Sequence, residues 1–377
     1  MRTRLLSAAL ALSVLLTASG CSGGSIYSNY RDIAELLVIQ TVGFDLSSDG
    51  SVRLSVSAEG SSGAGSDGGG KSPLRLCADA ASVTEAQDEL RHYSGGRQLF
   101  FGHTAYIVLG EDVLAGGISP FLDCIERDAD LRLCIPLFAV SSGSAAGLVL
   151  GTGDCEHDAS KLMHAVTEDL RLRGDARGYT AAEIISALDT NGTALICAVK
   201  AAASDDGETV IVPDGYTIIN KGRAVGHIPM ELARGVSIIL NEVGSLPVTV
   251  GGATLQLDSC SCRIAPVFDD GGALTGLDFG IELSAALAEA RGSLEPEALS
   301  RELEAAVRGW VEAVLDLQAD CGCDFLHLGS VLELQQPRRL RGAGRSFALV
   351  ASGLSYSVSV TASIDRSFHL QFSEAHF

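Results

Sequence analysis

The apolar positions change period along the chain, and the changes are sharpest between Arg97 and Gly147. Thr104 to Leu109 is a nearly continuous β-rich run, as expected of a strand covered on both faces, and Gly110, Glu111 and Asp112 close it. Ile118, Phe121, Leu122 and Ile125 then fall at helical spacing between Gly117 and Glu126, and Arg127 with Asp128 ends that segment. Leu131 to Val140 returns as a second apolar strand. A strand, helix, strand unit of this length places two strands in parallel through a right-handed crossover.

The flanking chain adds elements of both periods. Ile33 to Phe44 and Ser51 to Ala58, the latter alternating Val52, Leu54, Val56, predict a hairpin across Ser47-Ser48-Asp49-Gly50. Gly60 to Gly70 is a Gly/Ser spacer. Ser82 to Tyr93 predicts a helix opened by a Ser82/Glu85 capping box, and Ala159 to Leu172 and Thr180 to Ala187 predict two more, the last with Glu183 in the box position. Leu195 to Val199 reads as a strand, and the polar run Ala201 to Glu208 as a domain boundary.

Beyond it, Tyr216–Ile219 and Ala224–Ile228 predict a hairpin, Pro229 to Gly235 a helical turn closed by glycine, and Val236–Leu240 and Pro247–Val250 short strands. Leu277 to Leu287 alternates Phe279, Ile281, Leu283 as a long strand. Pro296 to Leu317 is the clearest helix, with Leu299, Leu303, Val307, Trp310, Val314 and Leu317 on one stripe. Phe347–Val360 and Ile364–Phe372 close the chain as strands. The expected fold class is therefore α+β, multi-domain, with mixed sheets and packed helices. Its expected divisions are 1–20, 21–203, 204–270 and 271–377.

Composition narrows the function. A chain of 377 residues is long enough for more than one core, and a formal charge of −20 argues against nucleic-acid binding and against adhesion to anionic lipid by overall charge. The amino terminus changes the picture most. Arg2 and Arg4 form a basic segment, Leu5 to Leu16 an apolar one too short to span a bilayer, and Ala18-Ser19-Gly20 precedes Cys21. This pattern resembles a lipobox, in which the Cys21 thiol accepts a diacylglyceryl group before cleavage ahead of it. Loss of Arg2 and Arg4 would take the charge from −20 to −22. One acyl chain holds a protein only marginally, at about 0.8 kcal/mol per buried methylene, so an anchor needs two or more.

Candidate chemistry is sparse. There is no G-x-S-x-G, H-E-x-x-H, P-loop or G-x-G-x-x-G following a strand. His103 reads as a hydrogen-bonded residue at a strand entrance, and Arg127 with Asp128 as helix-end polarity or a partner contact; Ser144 is a further polar residue to test. Asp154, Cys155, Glu156, His157 and Asp158 contain zinc-ligand types, yet carboxylates ahead of a helix also stabilise its positive end. Ten cysteines less Cys21 leave an odd nine, and Cys260-Ser261-Cys262 with Cys321-Gly322-Cys323 could form a zinc site only if the two segments meet. The reading is non-enzymatic, with no catalytic, metal or cofactor site.

The string RQLFFGHTAYIVLGEDVLAGGISPFLDCIERDADLRL resembles the core pattern of the spore germination protein C family, Ger(x)C. Tyr30-Arg31-Asp32 leading to Gly43-Phe44-Asp45 is similar to that family's opening, and Gln318, Asp324, Phe325 and Gly329 to its Gln and Asp-Φ-Φ-x-x-Gly pattern. The sequence departs from the family at His227 and Ile228, and in lacking a tryptophan after Pro337. The resemblance implies a lipoprotein subunit of a nutrient germinant receptor, held on the outer face of the spore inner membrane through Cys21, with membrane A and B subunits as partners. The competing class is an independent envelope lipoprotein that binds a solute or hydrolyses one.

Overall fold

The computed structural model describes residues 35–58, 73–151, 158–290, 296–341, 347 and 353–365. Its first sheet has nine strands: β1 (Leu36–Leu46), β2 (Val52–Ala58), β3 (Leu74–Ala80), β4 (Gln98–Phe100), β5 (Tyr106–Leu109), β6 (Leu137–Val140), β7 (Thr193–Ala203), β8 (Thr209–Asn220) and β9 (Arg223–Ile228). The order is β3-β2-β1-β5-β6-β7-β8-β9, with β4 paired to β1. β1, β5, β6 and β7 run parallel, and antiparallel hairpins extend both edges. β5 is central as predicted: Ile107 and Leu109 face one core and Tyr106 and Val108 the other, which is why its sequence is continuously apolar.

All four parallel strands start at one end of the sheet, here termed the amino pole. β8 ends and β9 begins at the same pole, since Thr193 pairs with Asn220 and Asn220 with Arg223. The β1–β2 and β7–β8 turns lie at the opposite, carboxyl pole.

Helices cover both faces. α1 (Val83–Tyr93) buries Val83, Ala86 and Leu90, and its cap residue Ser82 accepts the Glu85 N–H at 3.3 Å. β5 closes ahead of Gly110 as expected, and Gly110 caps α2 (Glu111–Gly116), which follows at once; α3 (Ser119–Arg127) then buries Phe121, Leu122 and Ile125 as expected. The predicted strand from Leu131 shortens to Leu137–Val140. Asp128 folds the preceding chain by accepting the N–H groups of Asp130 and Leu131, so Leu131 and Ile135 are buried from an irregular segment. α4 (Ala145–Leu150), α5 (Ala159–Arg173) and α6 (Ala181–Asn191) follow.

The second sheet has the order β10 (Leu246–Val250), β11 (Ala253–Phe268), β12 (Leu274–Ala290), β13 (Ser355–Asp365), with β12 and β13 parallel. Phe279, Ile281 and Leu283 of β12 face inward as their alternation predicts. Two helices pack beneath this sheet: α8 (Pro296–Cys321) and, before it in the chain, α7 (Met230–Ile239). α9 (Leu328–Gln335) completes the fold.

Val236 to Leu240 is thus the second half of α7 and its C-cap, not a strand. Gly235 does not close the helix: a Cβ there would lie 2.6 Å from the Trp310 carbonyl oxygen, so its glycine permits backbone contact between α7 and α8. The stripe of α8 buries Leu299, Leu303, Val307, Val311 and Val314, while Trp310 is only half-buried, with the Arg234 guanidinium 5.5 Å over its ring. Phe347 is a buried helical residue and the strand near it begins only at Ser355. The expected divisions at 203/204 and 270/271 both fall in hairpin turns between paired strands, β7–β8 and β11–β12. One buried cluster runs from the first sheet through α7 into the second sheet. The Gly/Ser spacer Gly60–Gly70, the cluster 154–157 and the strand beyond Asp365 lie outside the described residues, as does Cys21.

Candidate functional site

The polar residues singled out in the sequence separate into two latches. At the carboxyl pole, Asp45 is buried at the end of β1, and its carboxylate accepts the Ala145 N–H at 2.6 Å and the Ala146 N–H at 2.8 Å. It therefore caps α4 from a distant strand, where the positive helix end favours an anion. Gly110 makes this possible, since a Cβ there would stand 1.9 Å from Asp45 Oδ1. Burial pushes the Asp45 carboxyl above its ordinary range, and the two N–H donors only partly offset this. Ser144 is the N-cap of the same helix, accepting the Gly147 N–H at 3.1 Å, and so is spent on structure.

The second latch closes the seam between the sheets at the amino pole. Asp324 is buried and accepts the N–H groups of Leu328 at 2.9 Å and Gly329 at 2.8 Å, capping α9; Gln318 Oε1 accepts the Leu326 N–H at 2.9 Å. Thr193, the first residue of β7, donates its hydroxyl to the Asp324 carbonyl at 2.7 Å, and the His327 ring meets the Thr193 carbonyl at 3.0 Å. His327 itself takes a left-handed conformation at φ 55°. Burial again raises the Asp324 carboxyl, against the pull of the same two N–H groups. Asp324 and Gly329 are thus directly hydrogen-bonded, and Gln318 holds the same turn through Leu326 while its Nε2 finds no partner among the described residues.

Beside this latch lies a groove of about 590 Å³, walled by Ala182, Ser186 and Thr190 of α6 and by Val331 and Leu334 of α9, with Leu195 and Phe325 among its lining. A polar network closes one end. The Arg177 guanidinium bridges Glu242, at 2.7 Å, and Glu183, and lies 5.0 Å over the Tyr179 ring; the Tyr179 hydroxyl donates to Glu242 at 2.9 Å. Glu183 also completes the predicted capping box, accepting the Thr180 N–H at 2.8 Å while Thr180 Oγ1 accepts the Glu183 N–H at 3.3 Å. Burial opposes ionisation of Glu183, but the Thr180 donors and Arg177 outweigh it and hold the carboxyl below its ordinary value. Burial raises the Tyr179 phenol. Arg177, Glu183, Glu242 and Tyr179 pair with one another, and the rest of the groove is largely apolar, with the Ser186 and Thr190 side chains on its wall. Sequence reasoning missed Arg177, Tyr179 and Glu242, whose partners lie 63 and 65 positions apart and carry no local signal.

The remaining candidates stand apart from both latches. His103 is exposed with its ring 5.7 Å from that of Phe100, and Arg127 pairs with Asp123 one turn back at 2.8 Å. Cys260 and Cys262 sit on β11 and Cys321 and Cys323 at the end of α8; among the described residues no three His, Cys, Asp or Glu side chains gather as metal ligands, so the two segments do not form a four-cysteine site. Burial lifts the thiols of Cys262 and Cys323 to about 12. Both are thiols, not thiolates, near neutrality.

Comparison with known proteins places this architecture. Residues 29–201 match the spore germination protein N-terminal domain. YfkR of Bacillus subtilis (strain 168), whose name places it among spore germination proteins, is 24% identical over 205 residues, which is 52% of this chain and 52% of YfkR. The chain thus spans about half the length of that curated relative. The crystal structure of the GerBC protein superposes with a TM-score of 0.51 at 18% identity, covering 86% of this chain and 96% of that one, and so shares the fold. Residues 29–201, covering β1 through most of β7, thus match the spore germination protein N-terminal domain, and the comparisons together support the spore germination protein C family for this chain.

Proposed function

We propose that this protein is the lipid-anchored C subunit of a spore nutrient germinant receptor, held on the outer face of the spore inner membrane by a diacylglyceryl group on Cys21 and acting beside the A and B membrane subunits. The match of residues 29–201 to the germination domain carries the reading. The two buried carboxylates support a non-catalytic role, because Asp45 and Asp324 each accept two backbone N–H groups at a helix start. No helix among the described residues is long and apolar enough to cross a membrane, and in this reading a lipid on Cys21 supplies the anchor.

Cys21→Ala tests the anchor. In cells lacking the A and B subunits the variant should leave the membrane fraction; retention there would defeat the anchor. Co-purification of the wild-type chain with A and B subunits from spore membranes tests the assembly, and turnover of a small-molecule substrate by the purified chain would defeat the non-catalytic role.

A further inference from the structure

The surface of this protein is polarised along the strands. Six large apolar side chains are exposed among the described residues: Tyr93 (60%), Leu133 (38%), Leu172 (59%), Val225 (48%), Val267 (36%) and Leu334 (84%). Each lies towards the amino pole. Tyr93 ends α1 just ahead of β4, which pairs with the first residues of β1, and Leu133 precedes β6. Leu172 ends α5, its carbonyl accepting the Ser245 N–H at 3.2 Å a few residues past α7. Val225 sits near the start of β9. Val267 and Leu334 flank the contact of α9 with β11, where Gln335 donates to the Ile264 carbonyl at 3.0 Å.

Charge is polarised in the same sense. The connections leaving the strands at the carboxyl pole carry Asp49, Glu111, Asp112, Asp205 and Asp206 and no lysine or arginine. At the amino pole α9 runs out into Arg338, Arg339 and Arg341, all exposed, with Arg339 lying 4.9 Å over the Phe268 ring. From Leu334 to Ile364 the sequence holds four arginines and no Asp or Glu, in a chain with 47 acids. Acids do occur at this pole: Glu126, Asp128 and Asp130 ahead of Leu133, Glu333 one position before Leu334, and Asp269 and Asp270 past Phe268, of which Asp269 accepts the Ala273 N–H of its own turn; the arginine excess is confined to the tip beyond Leu334.

We infer that the amino pole is a membrane-facing surface, on which Leu334 enters the headgroup boundary of an anionic bilayer and Arg338, Arg339 and Arg341 meet lipid phosphates. The inference rests on the membrane-anchored reading. Singly exposed apolar residues are ordinary on a protein surface, so the inference rests on their gathering at one pole, with Leu334 beside three exposed arginines, where a plane can touch them together. Exposed leucine beside guanidinium groups is the chemistry of interfacial adhesion, and arginine pairs with phosphate through a planar fork. The acidic pole then points away from a surface that would repel it. The chain enters β1 at this pole, at Leu36.

Tryptophan quenching tests it. The full chain carrying Cys21→Ala is held by an amino-terminal histidine tag on vesicles containing a nickel-chelating lipid, so a failure of acylation leaves the measurement untouched. Leu334→Trp and Asp205→Trp are compared with the parent, whose single tryptophan, Trp310, sets the background. In vesicles of phosphatidylglycerol with phosphatidylcholine, brominated acyl chains should quench the indole introduced by Leu334→Trp, and the one introduced by Asp205→Trp should stay at background. Each arginine near an anionic surface strengthens its contact about fivefold, so Arg338→Gln, Arg339→Gln and Arg341→Gln together should weaken the tip's contact about 100-fold and abolish the excess quenching. These sites are exposed, so the variants should keep the parent's circular dichroism. Leu334→Trp quenched no more than Asp205→Trp, or quenched equally without phosphatidylglycerol or without the arginines, would overturn the inference.

Discussion

Asp45 and Asp324 do the same chemical work at opposite ends of the molecule, and the difference lies in what each one joins. Both are buried carboxylates that accept two backbone N–H groups at the start of a helix. Asp324 serves a helix that begins four residues later, while Asp45 reaches residues 100 and 101 positions away. The first therefore stabilises a local turn and, through Thr193, ties the carboxyl-terminal segment to the first sheet. The second fixes the parallel strands of one sheet to the helix that follows β6. A local latch can reform within its own segment, and a long-range latch requires the whole sheet around it.

The largest effect expected from breaking this symmetry is at Gly110. An alanine there would place its Cβ against Asp45 Oδ1, displacing the carboxylate and leaving two buried N–H groups unpaired. With about 1–3 kcal/mol for each unsatisfied group, Gly110→Ala should cost about 3–5 kcal/mol in denaturant unfolding, enough to lower the chain's level in cells. Asp324→Ala should cost less, about 2–4 kcal/mol, and should raise hydrogen exchange chiefly at Leu328 and Gly329 and along the start of β7. Exchange spreading across β1 and β5 in that variant would mean that the seam is not separable from the first sheet.

Trp310 sharpens the comparison at the seam. Read from periodicity it belongs to the buried stripe of α8, where truncation typically costs about 3–5 kcal/mol. In the structure Val311 takes the buried position, and Trp310 lies half-buried under Arg234. Trp310→Ala should therefore cost about 1–2 kcal/mol, less than Leu303→Ala at a fully buried site. Equal losses in thermal unfolding would restore Trp310 to the core.

The smallest effect is one of pH, and its sign is opposite to that of an ordinary capping carboxylate. Because burial raises the folded-state pKa of Asp45 and of Asp324 above the ordinary 3.8, the folded chain binds these protons more tightly than the unfolded chain. Each contribution to stability therefore grows as pH falls through the raised value and levels off below about 3.8. Asp79 and Asp214, lowered by Arg53 and Lys200 against burial, behave conversely: their contributions are full above the unfolded pKa and fade as pH falls through the lower folded one. The stability deficit of Asp324→Asn relative to wild type should thus widen on mild acidification from neutral pH. A deficit that narrows there would show that the ionised form is the one the fold favours.

Much of this was legible in the sequence where signals are local. The continuous run Tyr106–Leu109, the hairpin around Ser47–Gly50, the capping box at Thr180 and Glu183 and the α8 stripe all follow from neighbours within a few residues. Long strands with mixed faces were harder. β11 changes face at a bulge near Leu257 to Ser259 and places Ser261, Arg263 and Ala265 outward, so its alternation is broken and only its partner β12 was anticipated. Gly235 misled because glycine marks both a helix end and a close helix crossing, and only the position of Trp310 in space distinguishes them. Asp45 and Gly110 were each visible as residues, but their contact depends on the parallel pairing of β1 with β5.

The central claim is that these buried carboxylates are architectural and that the chain acts through assembly. Asp45→Asn tests it most directly, because the substitution keeps one accepting oxygen and the shape of the side chain while removing the charge. Thermal unfolding of the variant, its abundance in spores and the nutrient germination response should be measured together. The account predicts that germination falls only in proportion to the loss of folded subunit and recovers at temperatures where the variant is fully folded. A variant with wild-type Tm and abundance but no germination response would contradict it and give Asp45 a chemical role.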